Sequence, residues 1–375
     1  MKKFVLIPDS FKGTLSSSQI CQIMGDRIAN FFPDALVKSI PVADGGEGSV
    51  DCFLTALGGE KVYANCKNPY FEDMQGYYGL IKNGQTAVIE MAVCAGLPMV
   101  EDRKNPLKTT TYGVGELMLD AVNKGVKKII VGLGGSCTND MGCGVASACG
   151  VRFIDKDGKV FVSTGGSLKD ICDIDIGSIN PKLKEVEILV MCDINNPPYG
   201  ERGASKVFAP QKGANPEMVE FLDDGVKRLC DLVNEKLGID LSNLSGGGAA
   251  GAMGAGMVAF FGAKLDMGID IVLNTVSFDK VISDADLIFT GEGKIDSQSL
   301  SGKVVIGVAR KAKQKGVPVI AVVGGADGDL SLAYEQGVSA IFAINKMPQD
   351  FSISRNFSKE NLTFTMDNIL RTLKI

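Results

Sequence analysis

The sequence predicts an α/β protein of two domains, in which a doubly wound parallel sheet carries a large inserted mixed α/β domain. Three observations predict it. A chain of 375 residues exceeds one core of ordinary size, which gives a working count of two domains. Strand-then-helix units open the chain and close it, with short apolar strands of the kind that helices cover on both faces. Between these ends the pattern changes to hairpin signals and longer helices.

Taken in order, "KKFVLIP" is an apolar run followed by a polar turn. Over Ser16 to Phe32 the residues Ile20, Ile23, Met24, Ile28 and Phe31 then recur at helical spacing. "ALVKSIPVA" and "EGSVDCFLTALGG" repeat the scheme, the second helix closing on Gly58-Gly59. At the other end the pairs are "ADLIFT" with Lys303 to Lys315, "VPVIAVV" with "LSLAYEQG", and "SAIFAI" with an amphipathic stretch near Asn361 to Leu373. Two units plus three make a five-stranded parallel sheet of flavodoxin-like type, assembled from residues 1–58 and 282–375. Residues 59–281 form the predicted insertion. It carries hairpin signals at Asn83-Gly84 and Asp157-Gly158 and helices near Tyr112 to Lys124 and Pro216 to Leu237. An insertion of this size implies a cleft between two lobes, a common place for a small-molecule site.

Composition excludes several classes of function. A net charge of -5 gives no bulk attraction for nucleic acid. The N-terminal apolar stretch ends at Asp9, too soon for a secretory segment. Leu241 to Ala263 is uncharged, but seven of its residues are glycine, and it reads as a loop feeding a closely packed core helix rather than a membrane span. Ten scattered cysteines without a CxxC pair fit a reducing, cytoplasmic setting, and Cys137, Cys143 and Cys149 read as small buried residues. The absence of histidine leaves proton transfer to Asp, Glu, Lys, Tyr or Cys. No apolar surface stripe separates from core, so no oligomeric state is predicted.

Ligands of open α/β sheets bind beyond the carboxyl ends of the strands. There the outer domain places "PDSFKGT", "DGGEG", "GEGKIDSQ" and "GGADGD", each mixing glycine with acid. Turn-making and helix capping account for any one of them. Four on one edge point to a site. The insertion adds "KKIIVGLGGSCTND", a strand running into a loop with little side chain, and "VEILVMCDINNPP", which delivers Asp193 and Asn196. Gly246, Gly248 and Gly251 spell GxGxxG without the preceding strand that a dinucleotide site needs, and no GxxxxGK[ST] loop occurs. The set suits phosphoryl transfer, which needs N–H donors and cations around phosphates, carboxylates for Mg²⁺ and a group to receive the hydroxyl proton.

The motifs "PDSFKGTLSS", "PVADGGEG", "AVIEMA", "TTTYGVGEL", "GLGGSCTND", "CDINNP", "VFAPQKGA", "GIDIVL" and "TGEGKIDSQSLSGK" occur in one order from Lys3 to about Ile344. Together they make the chain resemble the bacterial glycerate kinase family, of the glycerate 2-kinase type. The resemblance implies phosphorylation of D-glycerate by ATP with Mg²⁺, to 2-phosphoglycerate in many relatives and 3-phosphoglycerate in others. Cys137, Met141, Pro198-Tyr199 and Ser299 depart from the pattern, mostly as size changes beside retained acids.

Residue roles follow as expectations. Lys12 is the candidate for the glycerate carboxylate or a phosphate, against a solvated turn lysine. With Asp9, Ser10, Asp44 and Glu47 it makes the expected substrate set. Asp193 and Asp296 are candidates for Mg²⁺ coordination or for the base, against turn capping, with neither job assigned to either; Asp44, Glu47 and Glu292 stand as further carboxylates. Gly134, Gly135, Ser136, Thr138 and Asn139 read as a phosphate cradle, against a tight turn needed for packing. Lys212 and Lys303 are candidates for neutralising phosphate charge. A non-catalytic small-acid sensor and a nicotinamide-dependent oxidoreductase are the alternatives, the first lacking any module through which to report.

Overall fold

The computed structural model describes residues 2–43, 45–296 and 299–375. The chain divides into two units: Met1–Asp44 with Thr55–Leu57 and Met267–Ile375, and Gly45–Leu54 with Gly58–Asp266.

The first unit is built on a five-stranded sheet in the spatial order Leu36–Ser39, Lys3–Pro8, Leu287–Gly291, Val319–Val323, Ala340–Ala343, all neighbours parallel. In sequence rank this is 2-1-3-4-5, the flavodoxin-like order. The alternation of side chains divides the core between two faces. Phe4, Leu6, Phe289, Ile320 and Val322 pack with Ile20, Met24 and Ile28 of helix Ser17–Phe31 and with Leu362, Met366 and Ile369 of helix Ser358–Thr372. Ala321 and Val323 pack with Val305, Ile306 and Ala309 of helix Val304–Lys315. The sheet is therefore doubly wound. The first helix starts where the sequence marks it: the Ser16 hydroxyl accepts from the Gln19 amide at 3.2 Å, and the Gln19 side chain accepts from the Ser16 amide at 2.9 Å.

The second unit holds a six-stranded mixed sheet in the order Lys264–Asp266, Glu187–Met191, Lys128–Gly132, Thr86–Glu90, Asp73–Ile81, Glu60–Lys67. The first four are parallel and the last two antiparallel. The Asn83-Gly84 hairpin joins Asp73–Ile81 to Thr86–Glu90, with Lys82, Asn83 and Gly84 all at positive φ. A three-stranded sheet carries the Asp157-Gly158 turn. Helix Pro216–Leu237 has the bounds read from sequence, capped by Asn215, whose side chain accepts from the Met218 amide, and closed by left-handed Gly238. Cys137, Cys143 and Cys149 are buried. Ala249–Phe261 is a buried core helix fed by a loop, and no helix among the described residues is long and apolar enough to cross a membrane.

Two segments fall on the other side of the boundaries that periodicity suggested. Gly268–Thr275 and Phe278–Val281 cluster with the parallel-sheet unit, because Ile269 packs on the bare backbone of Gly307 in helix Val304–Lys315. Gly45–Leu54 clusters with the second unit, because buried Glu90 accepts from the amides of Gly48 at 3.2 Å and Val50 at 2.6 Å. A local pattern of strand and helix carries no information about either long-range contact.

Candidate active site

In a 2-1-3-4-5 sheet, connections leave the adjacent first and third strands in opposite directions, which opens a crevice at their carboxyl ends. Here those strands are Lys3–Pro8 and Leu287–Gly291, paired Pro8 to Gly291. The first runs into Asp9, Ser10 and Lys12, the second into Glu292 and Asp296. The Asp9 amide donates to the Gly291 carbonyl at 2.8 Å, and a Cβ built on Gly293 would lie 3.3 Å from the Lys12 nitrogen. The two loops are thus locked backbone to backbone. Asp9 is buried, Ser10 half-buried and Lys12 exposed.

Glu292, like Asp9, is a buried acid of this edge, 7% exposed, and its Oε1 has no hydrogen-bond partner among the described residues. Burial pushes its carboxyl up to about 7; the Ser299 hydroxyl opposes the shift, Asp9 adds to it, Lys303 opposes it and Asp296 adds to it. Asp296 is half-buried; its Oδ1 accepts from the Ser299 amide at 3.4 Å, and its Oδ2 lies 3.8 Å from Lys294 Nζ. The side chain thus caps the turn that follows.

The second unit gathers its own strand ends. Glu90, Gly132 and Met191 end three adjacent parallel strands, and Asp193, half-buried, follows Met191. Gly134 donates to the Gly45 carbonyl at 3.0 Å. A Cβ on Gly132 would lie 2.3 Å from that carbonyl, and one on Gly134 would lie 2.5 Å from the Gly46 Cα. These two glycines therefore serve close approach of the "DGGEG" loop, on which Glu47 is exposed. Gly135 differs: it is exposed, at φ 75°, a Cβ built on it would meet only Ala92 within 4 Å among the described residues, and its carbonyl accepts from the Leu97 amide at 2.8 Å. Gly132 and Gly134 thus leave no room for a β-carbon, and Gly135 does.

Beneath that loop lies Lys212, 2% exposed, donating to the Ser136 hydroxyl and the Thr138 carbonyl, each at 2.7 Å. Burial pulls its ammonium down to about 8, opposed by Cys137 and Asp140. Thr138 and Asn139 are fully buried; Thr138 Oγ1 and Asn139 Oδ1 lack partners among the described residues, and Asn139 Nδ2 donates to Ser205 at 3.1 Å. Asp140 anchors the far end, accepting from the Thr111 amide and hydroxyl at 2.8 Å each and from the Gly142 and Gly144 amides at 3.2 Å. Burial raises its carboxyl, against those hydrogen bonds.

Among the described residues no three His, Cys, Asp or Glu side chains are gathered to hold a metal ion. Asp44 lies outside the described residues. Gly246 and Gly251 stand at positive φ after turns rather than after a strand. The sequence assigned no role to Glu90 or to Thr111, although both sit in quoted motifs. An acid inside the apolar run "AVIEM" was the available signal for Glu90. For Thr111 there was none, since its partner is 29 positions away.

Three comparisons bear on this geometry. The model of the "Glycerate kinase family" matches residues 4–374. The chain is 42% identical over 374 residues to the glycerate kinase of Bacillus cereus, covering 100% of this chain and 98% of that protein. It is 40% identical to the glycerate 2-kinase of Escherichia coli K12 over the same shares. A crystal structure of glycerate kinase 2 from Salmonella typhimurium LT2 superposes with a TM-score of 0.88 at 40% identity, covering 100% of this chain and 98% of that one.

Proposed function

Since the chain belongs to the glycerate kinase family, and so is a kinase with a hydroxyl acceptor, we propose that it transfers the γ-phosphate of ATP to the 2-hydroxyl of D-glycerate, giving 2-phosphoglycerate. Membership displaces the sensor and oxidoreductase alternatives. The name of the Escherichia coli relative supports the 2-position. The observation that carries the reading is the crevice edge of the first unit, where Asp9, Lys12, Glu292 and Asp296 follow the two strands of the topological switch point.

In this reading the exposed ammonium of Lys12 meets the glycerate carboxylate or a phosphate, with Asp9 and Ser10 of the same loop beside it, while Asp44, outside the described residues, and Glu47 of the second unit stay candidates from the sequence. A small hydroxy acid offers one carboxylate and two hydroxyls, so a cation flanked by acceptors orients it. Gly135 presents open backbone to the nucleotide phosphates, with Gly134, Ser136, Thr138 and Asn139 forming the loop. Lys212 acts from below, holding Ser136 and Thr138 in place while contributing positive charge.

Mg²⁺ is held in many kinases by one or two carboxylates together with phosphate oxygens. Asp296 in the first unit and Asp193 in the second are each a half-buried carboxylate beyond a strand end, and each is a candidate to supply such a ligand. When bound, the ion neutralises charge on the phosphates.

The test is an ATP/Mg²⁺ assay with D-glycerate, the product resolved by ³¹P NMR. A 2-phosphoglycerate resonance is expected. A 3-phosphoglycerate resonance would overturn the regiochemistry, and bound ATP without product would overturn the substrate.

A further inference from the structure

We propose that Glu292 is the catalytic base of this kinase, the group that receives the proton of the acceptor hydroxyl. The inference rests on the D-glycerate kinase reading above and deepens it.

Four observations converge on this side chain. It is the first residue beyond the central strand, at the topological switch point. Its backbone is fixed on both sides: its carbonyl accepts from the Gly324 amide at 3.1 Å, and the next residue, Gly293, packs on the Phe11–Lys12 backbone. It is more than nine-tenths buried, yet Oε1 finds no hydrogen-bond donor among the described residues. A buried polar atom without a partner is costly, so folds keep one mainly where something outside the chain meets it. Finally, the surroundings are ordered for a poised acid. Asp9 faces the carboxyl from the loop after the first strand, Asp296 and Lys303 face it from the segment beyond Gly293, and the Ser299 hydroxyl hydrogen-bonds it. Burial, helped by Asp9 and Asp296 and opposed by the Ser299 hydroxyl and Lys303, raises the group to about 7, within the range suited to a general base.

The step balances without another reactant. The acceptor O–H bond breaks and its proton passes to a carboxylate oxygen of Glu292. The hydroxyl oxygen forms the new bond to the γ-phosphorus as the bond from that phosphorus to the β-bridging oxygen breaks, and ADP leaves with that electron pair.

Glu292→Gln is the discriminating variant, because the amide has the shape and the donor of a protonated carboxyl. A merely structural, protonated Glu292 would survive the change. The base does not: kcat is expected to fall by 10²–10⁴-fold. The wild-type rise in kcat as pH climbs through about 7 should vanish in the variant. A carboxyl raised above its unfolded value loses stability as pH rises through the folded value, so Glu292→Gln should raise Tm at pH 8 more than at pH 5. That gain shows that the variant is folded and that its inactivity is chemical. Glu292→Asp should keep the pH limb with a lower kcat. A Glu292→Gln enzyme within threefold of wild-type kcat, or one that keeps the limb near pH 7, overturns the assignment. A wild type that makes no phosphoglycerate overturns the reading on which it rests.

Discussion

Two lysines read from the sequence as anion binders are placed in opposite environments. Lys12 is exposed at a strand end, whereas Lys212 is 2% exposed under the Gly134–Asn139 loop. Burial lowers the folded value of Lys212 to about 8 from 10.5, so between these values the unfolded chain binds more protons than the folded one. Stability contributed by this site therefore rises with pH across that window. Lys212→Met should lack the rise. Urea unfolding of both proteins is expected to show wild type gaining about 2 kcal/mol on the variant between pH 7 and pH 10. Equal changes in the two would mean that the ammonium is solvated.

At the scale of elements, the site depends on loops that touch through backbone. Gly134 and Gly46 leave no room for a β-carbon, so Gly134→Ala forces the "GLGGS" and "DGGEG" loops apart. It is expected to destabilise by about 1–3 kcal/mol, the range of overpacked cores, and to lower kcat/KM at least tenfold. Gly325→Ala is the control: its added carbon meets nothing within 4 Å, and stability should stay within about 0.5 kcal/mol. Calorimetry and steady-state kinetics on the pair check both. The helices that follow these loops were legible because their ends are chemically marked, as by Ser16 with Gln19 and by Asn215 with Gly238. Neither element boundaries nor caps reveal that Glu90 is spent on the amides of Gly48 and Val50, since that contact joins segments 40 residues apart.

Across the whole molecule, the parallel sheet is completed only when the two ends of the chain meet. The Thr290 hydroxyl donates to the Ile7 carbonyl across 283 positions. Such a unit has no local nucleus containing its two central strands, and loop-closure entropy precedes every native contact between them. A ligand that binds only the folded protein stabilises it by mass action. With the nucleotide reading above, a non-hydrolysable ATP analogue with Mg²⁺ at 100-fold its Kd is expected to add about 2.7 kcal/mol, seen as a higher Tm in a thermal shift assay. No shift with a saturating analogue would remove the nucleotide assignment from this chain.

By itself the sequence determined the fold class, the sheet built from both chain ends and the family, because apolar periodicity, cap residues and a long ordered set of motifs are all local in the chain. It also named the loops of the candidate site. Only the tertiary structure decided what each residue in those loops faces. Gly132 and Gly134 face another backbone while Gly135 has room for a side chain; Lys212 faces inward while Lys12 is exposed; and Glu292, one carboxylate among several in the sequence, is the one that, among the described residues, is buried with an unmet oxygen. Burial and hydrogen-bond partnership depend on which distant segments fold against a residue, and these set the charge and reactivity that its type alone leaves open.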